Sequence, residues 1–93
     1  MELSGKRILV IGLGKTGIAS ARFLAGKGAN VAVTDEKPLT ELNGAIRELG
    51  NAYANLEFRK YDPDSLSRID LIIPSPGVPP SNILLTEAVN KKI

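Results

Sequence analysis

Cysteine, histidine and tryptophan are all absent from these 93 residues. The first two absences exclude a disulfide framework, a thiol nucleophile, an imidazole general base and nearly every kind of zinc site. Aromatic side chains are limited to Phe23, Tyr53, Phe58 and Tyr61. With so few stacking surfaces and no basic face, a nucleic-acid platform is not expected. The charge balance is 12 Lys and Arg against 10 Asp and Glu, a net +2 that the adjacent Lys91 and Lys92 supply by themselves. The longest apolar run, Ile8 to Leu13, falls far short of the roughly 18 residues of a membrane span. Met1 to Arg7 leads straight into a strand without the pattern of a cleavable leader, so the expected location is the cytoplasm. What is present is a 43% hydrophobic chain of globular character, long enough for at most one domain. Its chemistry has to come from Asp, Glu, Lys, Ser, Thr or the main chain.

Hydrophobic patterning gives alternating strands and helices. Arg7-Ile8-Leu9-Val10-Ile11 is β-branched and does not alternate, as expected of a strand buried on both faces of a parallel sheet. After Gly12-Leu13-Gly14-Lys15-Thr16-Gly17, the residues Ile18, Ala21, Leu24 and Ala25 recur at helical spacing until Gly28. Asn30 to Thr34 is a second strand. Leu42, Ala45, Ile46 and Leu49 form an amphipathic helix, with Thr40 as the expected N-cap and Gly50 as the stop. Leu56 to Arg59 reads as an edge strand, and Asp62-Pro63 as the start of a helical turn leading to Leu66 and Ile69. Asp70 to Ile73 is another buried strand, stopped by Pro74, and Ser81 or Asn82 caps a last helix bearing Leu84, Leu85, Ala88 and Val89. This order predicts an α/β, Rossmann-like three-layer domain. Its parallel sheet would have four to five strands in the order 3-2-1-4, with helices on both faces. Ligands would bind in the crevice beyond the carboxyl ends of strands 1 and 4.

Three segments converge on that crevice. Gly12-x-Gly14-x-x-Gly17 follows a strand and opens a helix, the setting in which this spacing binds phosphate. Gly12 permits the tight turn, Gly14 lets a diphosphate approach the main chain, and Gly17 permits close helix–strand packing. Helix-start amides near Lys15 and Thr16, the Lys15 ammonium and the Thr16 hydroxyl would complete an anion site. The same glycines would also serve as a compact turn in a domain that binds nothing there. Asp35, 23 residues after Gly12, ends strand 2 and would accept hydrogen bonds from a ribose or base. Alternatively it caps the loop that it begins with Glu36-Lys37-Pro38. Ser75-Pro76-Gly77 follows strand 4 on the opposite wall, either as a stiffened ligand loop or simply as a rigid turn. Asp62, Asp64 and Asp70 read as cap and loop charges, and Glu41, Glu48 and Glu87 as solvated helix faces. No paired carboxylates, nucleophile–base set or metal cluster is visible, and the spacing at Gly12 to Thr16 is not a Walker A motif.

Gly5-Lys6, the run Gly12 to Ala19, Asp35, Asp70-Leu71-Ile72 and Ser75-Pro76-Gly77-Val78-Pro79 together resemble the N-terminal domain of the Mur ligase family, in the branch that adds D-glutamate in peptidoglycan synthesis. The resemblance covers essentially the whole chain. The glycine turn is shared with many dehydrogenases, and its combination with the Ser-Pro-Gly-Val-Pro loop makes the match specific. It implies a three-domain parent in which ATP, with Mg, phosphorylates the carboxylate of UDP-N-acetylmuramoyl-L-alanine before the amine of D-glutamate attacks. Residues 1–93 would be the domain that holds the UDP moiety. The central ATPase and C-terminal domains would be absent, and this fragment would have no catalytic residues, metal or cofactor of its own. By the same resemblance Gly14, Lys15, Thr16 and Gly17 would hold the diphosphate. Asp35, Glu36 and Lys37 would meet the uracil and ribose, and Ser75, Pro76 and Gly77 would line the opposite wall. Two other readings stay open at this point: an NAD-binding half-domain of a dehydrogenase or nicotinamide sensor, and a scaffold without a ligand. Chain end Lys91-Lys92-Ile93 carries no turn signal, so a fifth strand is expected to begin there.

Overall fold

Arg7–Ile11 forms β1 of the computed structural model, and it lies at the centre of a four-stranded sheet. The structure describes residues 3–58, 66, 68–76, 82 and 84–86. Along β1, Ile8, Leu9 and Val10 have no exposed surface, which is why this strand shows no polar alternation. The order of elements is β1, α1 (Lys15–Gly26), β2 (Asn30–Thr34), α2 (Asn43–Leu49), β3 (Leu56–Phe58) and β4 (Leu71–Pro74). All pairings are parallel and the spatial order is β3-β2-β1-β4, the order expected from the sequence.

Successive residues of β1 feed two different cores. Ile8 and Val10 join Val31 and Val33 of β2 with Ile18, Ala21 and Leu24 of α1 and Leu49 of α2. Leu9 and Ile11 join Ala32, Leu66 and Leu84 on the other face. Burying both faces removes far more apolar surface than a one-sided sheet would, at about 25 cal/mol per Å². This permits two cores in so short a chain.

The second helix begins differently from the sequence expectation. Glu41 N–H donates to the Pro38 carbonyl, closing a 3₁₀ turn over Leu39–Glu41 that contains Thr40. Leu42 is therefore the N-cap, without a side-chain cap bond, and its carbonyl accepts from Ile46 N–H. Leu42 is buried, so placing its side chain in the core outweighs the capping chemistry of Thr40. Gly50 ends the helix at φ 56° as expected, and an unanticipated 3₁₀ segment, Gly50–Asn55, leads into β3.

Pro74 does not stop β4 but is its last residue, paired with Ile11. A proline is tolerated on this outer strand because its missing N–H costs little at the end of a ladder. At the far end of the chain, Asn82 Oδ1 accepts from Leu84 N–H at 2.9 Å, which selects Asn82 as the cap of helical residues 84–86. Arg59, Asp62, Pro63, Asp64, Gly77, Ser81, Glu87, Ala88, Val89 and the segment 91–93 lie outside the described residues. No helix among the described residues is long and apolar enough to cross a membrane.

Candidate functional site at the carboxyl end of the sheet

Ile11 is in register with Thr34 on one side and Pro74 on the other. The loops that begin with Gly12, Asp35 and Ser75 therefore leave the sheet side by side. Parallel pairing brings these three sequence segments together.

Gly12 takes φ 88°, a conformation that side chains rarely adopt, and its N–H donates to the Thr34 carbonyl at 2.8 Å. Gly14 is the N-cap of α1, and the first helical bond runs from Ile18 N–H to the Gly14 carbonyl at 2.9 Å. The amides of Lys15, Thr16 and Gly17 precede that bond and have no intrahelical acceptor. Gly14 supplies no side-chain cap, and no acidic residue occupies the first turn. Positive helix-dipole potential at this end is thus uncompensated by the helix's own side chains. Lys15 and Thr16 are exposed beside it.

The three glycines of the turn are glycine for different reasons. A Cβ on Gly17 would run into the Gly12 carbonyl oxygen and touch Val10 Cγ1 at 3.5 Å, so the fold itself demands glycine there. Gly12 needs it for φ. Gly14 has φ −86° and ψ −167°, open to any residue, and a Cβ would meet only Ser75 Oγ at an ordinary 3.5 Å. Folding does not require glycine at 14. The missing side chain leaves the main chain of the turn bare on the side that faces Ser75.

Ser75 forms the facing wall. It is half-buried, and its N–H donates to the Ile11 carbonyl at 2.8 Å. Pro76 is exposed next to it, and Gly77 lies outside the described residues. Asp35 is half-buried, and Glu36 and Lys37 are exposed. Both of the possibilities left open for Asp35 concern its carboxylate, and two main-chain partners already engage that group. Oδ2 accepts from Leu13 N–H at 2.7 Å and Oδ1 from Lys37 N–H at 2.8 Å. The second bond is the loop cap expected of an Asp two residues before its donor. The first was not anticipated from sequence. Its only signal is an apolar residue between two glycines, whose side chain goes to the core and turns its amide towards β2.

Asp70 stands at the other end of the sheet, accepting from Arg7 N–H at 2.9 Å, in keeping with a loop charge. Glu41 and Glu48 are exposed. No group of three potential metal ligands occurs among the described residues. A groove of about 450 Å³ also lies at the amino end, lined by Arg7, Asn30, Ala32, Asn55, Glu57 and Ile69 among others. None of its lining residues belongs to the glycine turn, to Asp35 or to Ser75.

Comparison with known proteins bears on these features. Residues 6–93 match the profile of the family described as Mur ligase MurD-like, N-terminal domain. A UDP-N-acetylmuramoylalanine–D-glutamate ligase from Syntrophus aciditrophicus is 48% identical over 94 aligned residues, covering 100% of this chain and 21% of that protein. One from Geotalea daltonii is 49% identical over 79 residues, covering 85% and 17%. The chain thus spans about a fifth of the length of these relatives. Among solved structures, apo D-lactate dehydrogenase from Escherichia coli superposes with a TM-score of 0.61 at 32% identity, over 88% of this chain and 23% of that one. SirC, a precorrin-2 dehydrogenase, gives 0.61 at 22% identity, over 98% and 40%, and shares the fold.

Proposed function

Because the chain belongs to the MurD-like N-terminal domains of the Mur ligases, we propose that it holds the UDP moiety of UDP-N-acetylmuramoyl-L-alanine for a ligase that adds D-glutamate. In this reading the diphosphate sits against the start of α1. The amides of Lys15, Thr16 and Gly17 donate to its oxygens, and the Thr16 hydroxyl and Lys15 ammonium add a donor and a charge. The uridine extends towards the loop Asp35-Glu36-Lys37, and Ser75, Pro76 and Gly77 close the other side. The observation that carries the reading is Gly14. It is a glycine that the backbone does not need, at the start of α1, where a side chain would lie against the Ser75 hydroxyl.

The role assigned to the chain is binding. ATP, Mg and D-glutamate enter only through the parent enzyme, and acyl phosphate formation and ligation are assigned to parts of the parent other than these residues. A cytoplasmic setting follows from the same assignment, since the substrate is a soluble nucleotide. The test is a two-dimensional NMR titration of the chain with UDP, UDP-N-acetylmuramoyl-L-alanine and NAD. NAD is the control because the fold is shared with dehydrogenases. Shifts at Lys15, Thr16, Gly17 and Ser75 with the uridine ligands and none with NAD are expected. The opposite selectivity would replace this reading with a nicotinamide site.

A further inference from the structure

The two bonds to Asp35 raise a question that a ligand contact does not answer. A carboxylate at the mouth of a diphosphate site repels the phosphates through charge, so the diphosphate itself does not account for its presence there. Both of its oxygens point to main chain, one to a residue 22 positions back and one to a residue two positions ahead. Leu13, whose amide it accepts, lies between Gly12 and Gly14. Its two glycines have the widest choice of backbone conformations, so the stretch depends on contacts to hold its shape.

Gly14 is held by the bond from Ile18 N–H to its carbonyl, and three restraints hold the two residues before it. Gly12 N–H bonds the Thr34 carbonyl, the Leu13 side chain is buried, and Leu13 N–H bonds Asp35. Only the last is made by a polar side chain, and it is charge-assisted, hence stronger than a neutral bond. The same carboxylate fixes Lys37 N–H, so the glycine turn and the loop after β2 are ordered as one unit. Ordering a loop before the ligand arrives removes that cost from binding.

We propose that Asp35 is a positioning residue, a clasp that presets the glycine turn for a diphosphate without touching it. This rests on the diphosphate reading above and gives Asp35 a different part from that of a ribose or base contact. The two parts predict opposite signs for a ligand that has neither ribose nor base. Inorganic pyrophosphate and UDP are titrated calorimetrically into the unaltered chain, Asp35→Ala and Asp35→Asn. The comparison is made at a temperature where the amides of Ile8, Leu9 and Val10 stay protected from exchange, so every variant is folded.

The clasp predicts that both ligands weaken by the same factor, roughly tenfold in Asp35→Ala. The loss is smaller in Asp35→Asn, whose remaining carbonyl oxygen can keep one bond. It also predicts faster hydrogen exchange at Leu13 N–H in Asp35→Ala, a readout that needs no ligand. Weaker UDP with unchanged or tighter pyrophosphate would overturn the proposal and make Asp35 a direct contact. Unchanged Leu13 exchange would overturn it as well. If the unaltered chain ignores both ligands, the diphosphate reading itself fails, and Leu13 exchange still decides whether the clasp exists.

Discussion

The two ends of the sheet use the same devices and leave different things undone. At the amino end, Gly5 and Gly28 take φ values of 78° and 82°, and Gly5 N–H bonds the Gly28 carbonyl. Asp70 accepts from Arg7 N–H there and returns its own N–H to the Arg7 carbonyl. At the carboxyl end, Gly12 takes φ 88° and Asp35 accepts from Leu13 N–H. An aspartate on a main-chain amide near a left-handed glycine therefore does not by itself distinguish the two ends. The difference lies in the element that the glycine leads into. At the amino end of the sheet the chain runs into β1 or β2, whose ladders use the main-chain groups. At the carboxyl end it runs into α1, whose first amides have no acceptor within the helix.

The largest effect is expected at Gly17. Gly17→Ala drives a methyl into the Gly12 carbonyl and is expected to cost about 3 kcal/mol or more, read as a large fall in melting temperature or loss of folded protein. A near-normal melt would show that the turn is looser than the packing implies. Gly14→Ala sharpens the contrast. Its backbone angles suit alanine, and the loss of chain entropy in the unfolded state offsets alanine's poorer N-cap preference, so stability should stay within about 1 kcal/mol. UDP affinity should nevertheless fall at least about tenfold, since a methyl would stand where the diphosphate is proposed to approach the main chain. Retained UDP binding in calorimetry would remove the main support for the phosphate site. The smallest effect is expected at the amino end. Asp70→Ala loses one exposed hydrogen bond, worth about 1 kcal/mol, and should leave UDP affinity unaltered. An effect on binding there would mean that the two ends are coupled through β1.

Much of this was legible in the sequence because it depends on local order. Unbroken apolarity from Ile8 to Ile11 requires a strand covered on both faces, and strands alternating with helices leave little choice but a parallel sheet with right-handed crossovers. Gly12 and Gly17 were readable from their spacing, and the structure gives each a steric reason. The helix before β3 was harder. Thr40 has good capping chemistry, but burial of Leu42 moved the start of α2, and burial depends on contacts that no local pattern states. The Asp35–Leu13 bond was illegible for the same reason, being made across 22 residues.

By itself, then, the sequence determined the kind and order of the strands and main helices, the apolar stripes that those elements bury, and the glycines that the turn could not do without. These follow from backbone sterics and hydrophobic periodicity, which act over a few residues. Only the tertiary structure decided that the backbone does not require glycine at 14, where a Cβ would meet Ser75 Oγ, and that the Asp35 carboxylate bonds the Leu13 amide. Those two facts arise where β1, β2 and β4 end in register, so they are properties of the assembled sheet edge and of no single segment.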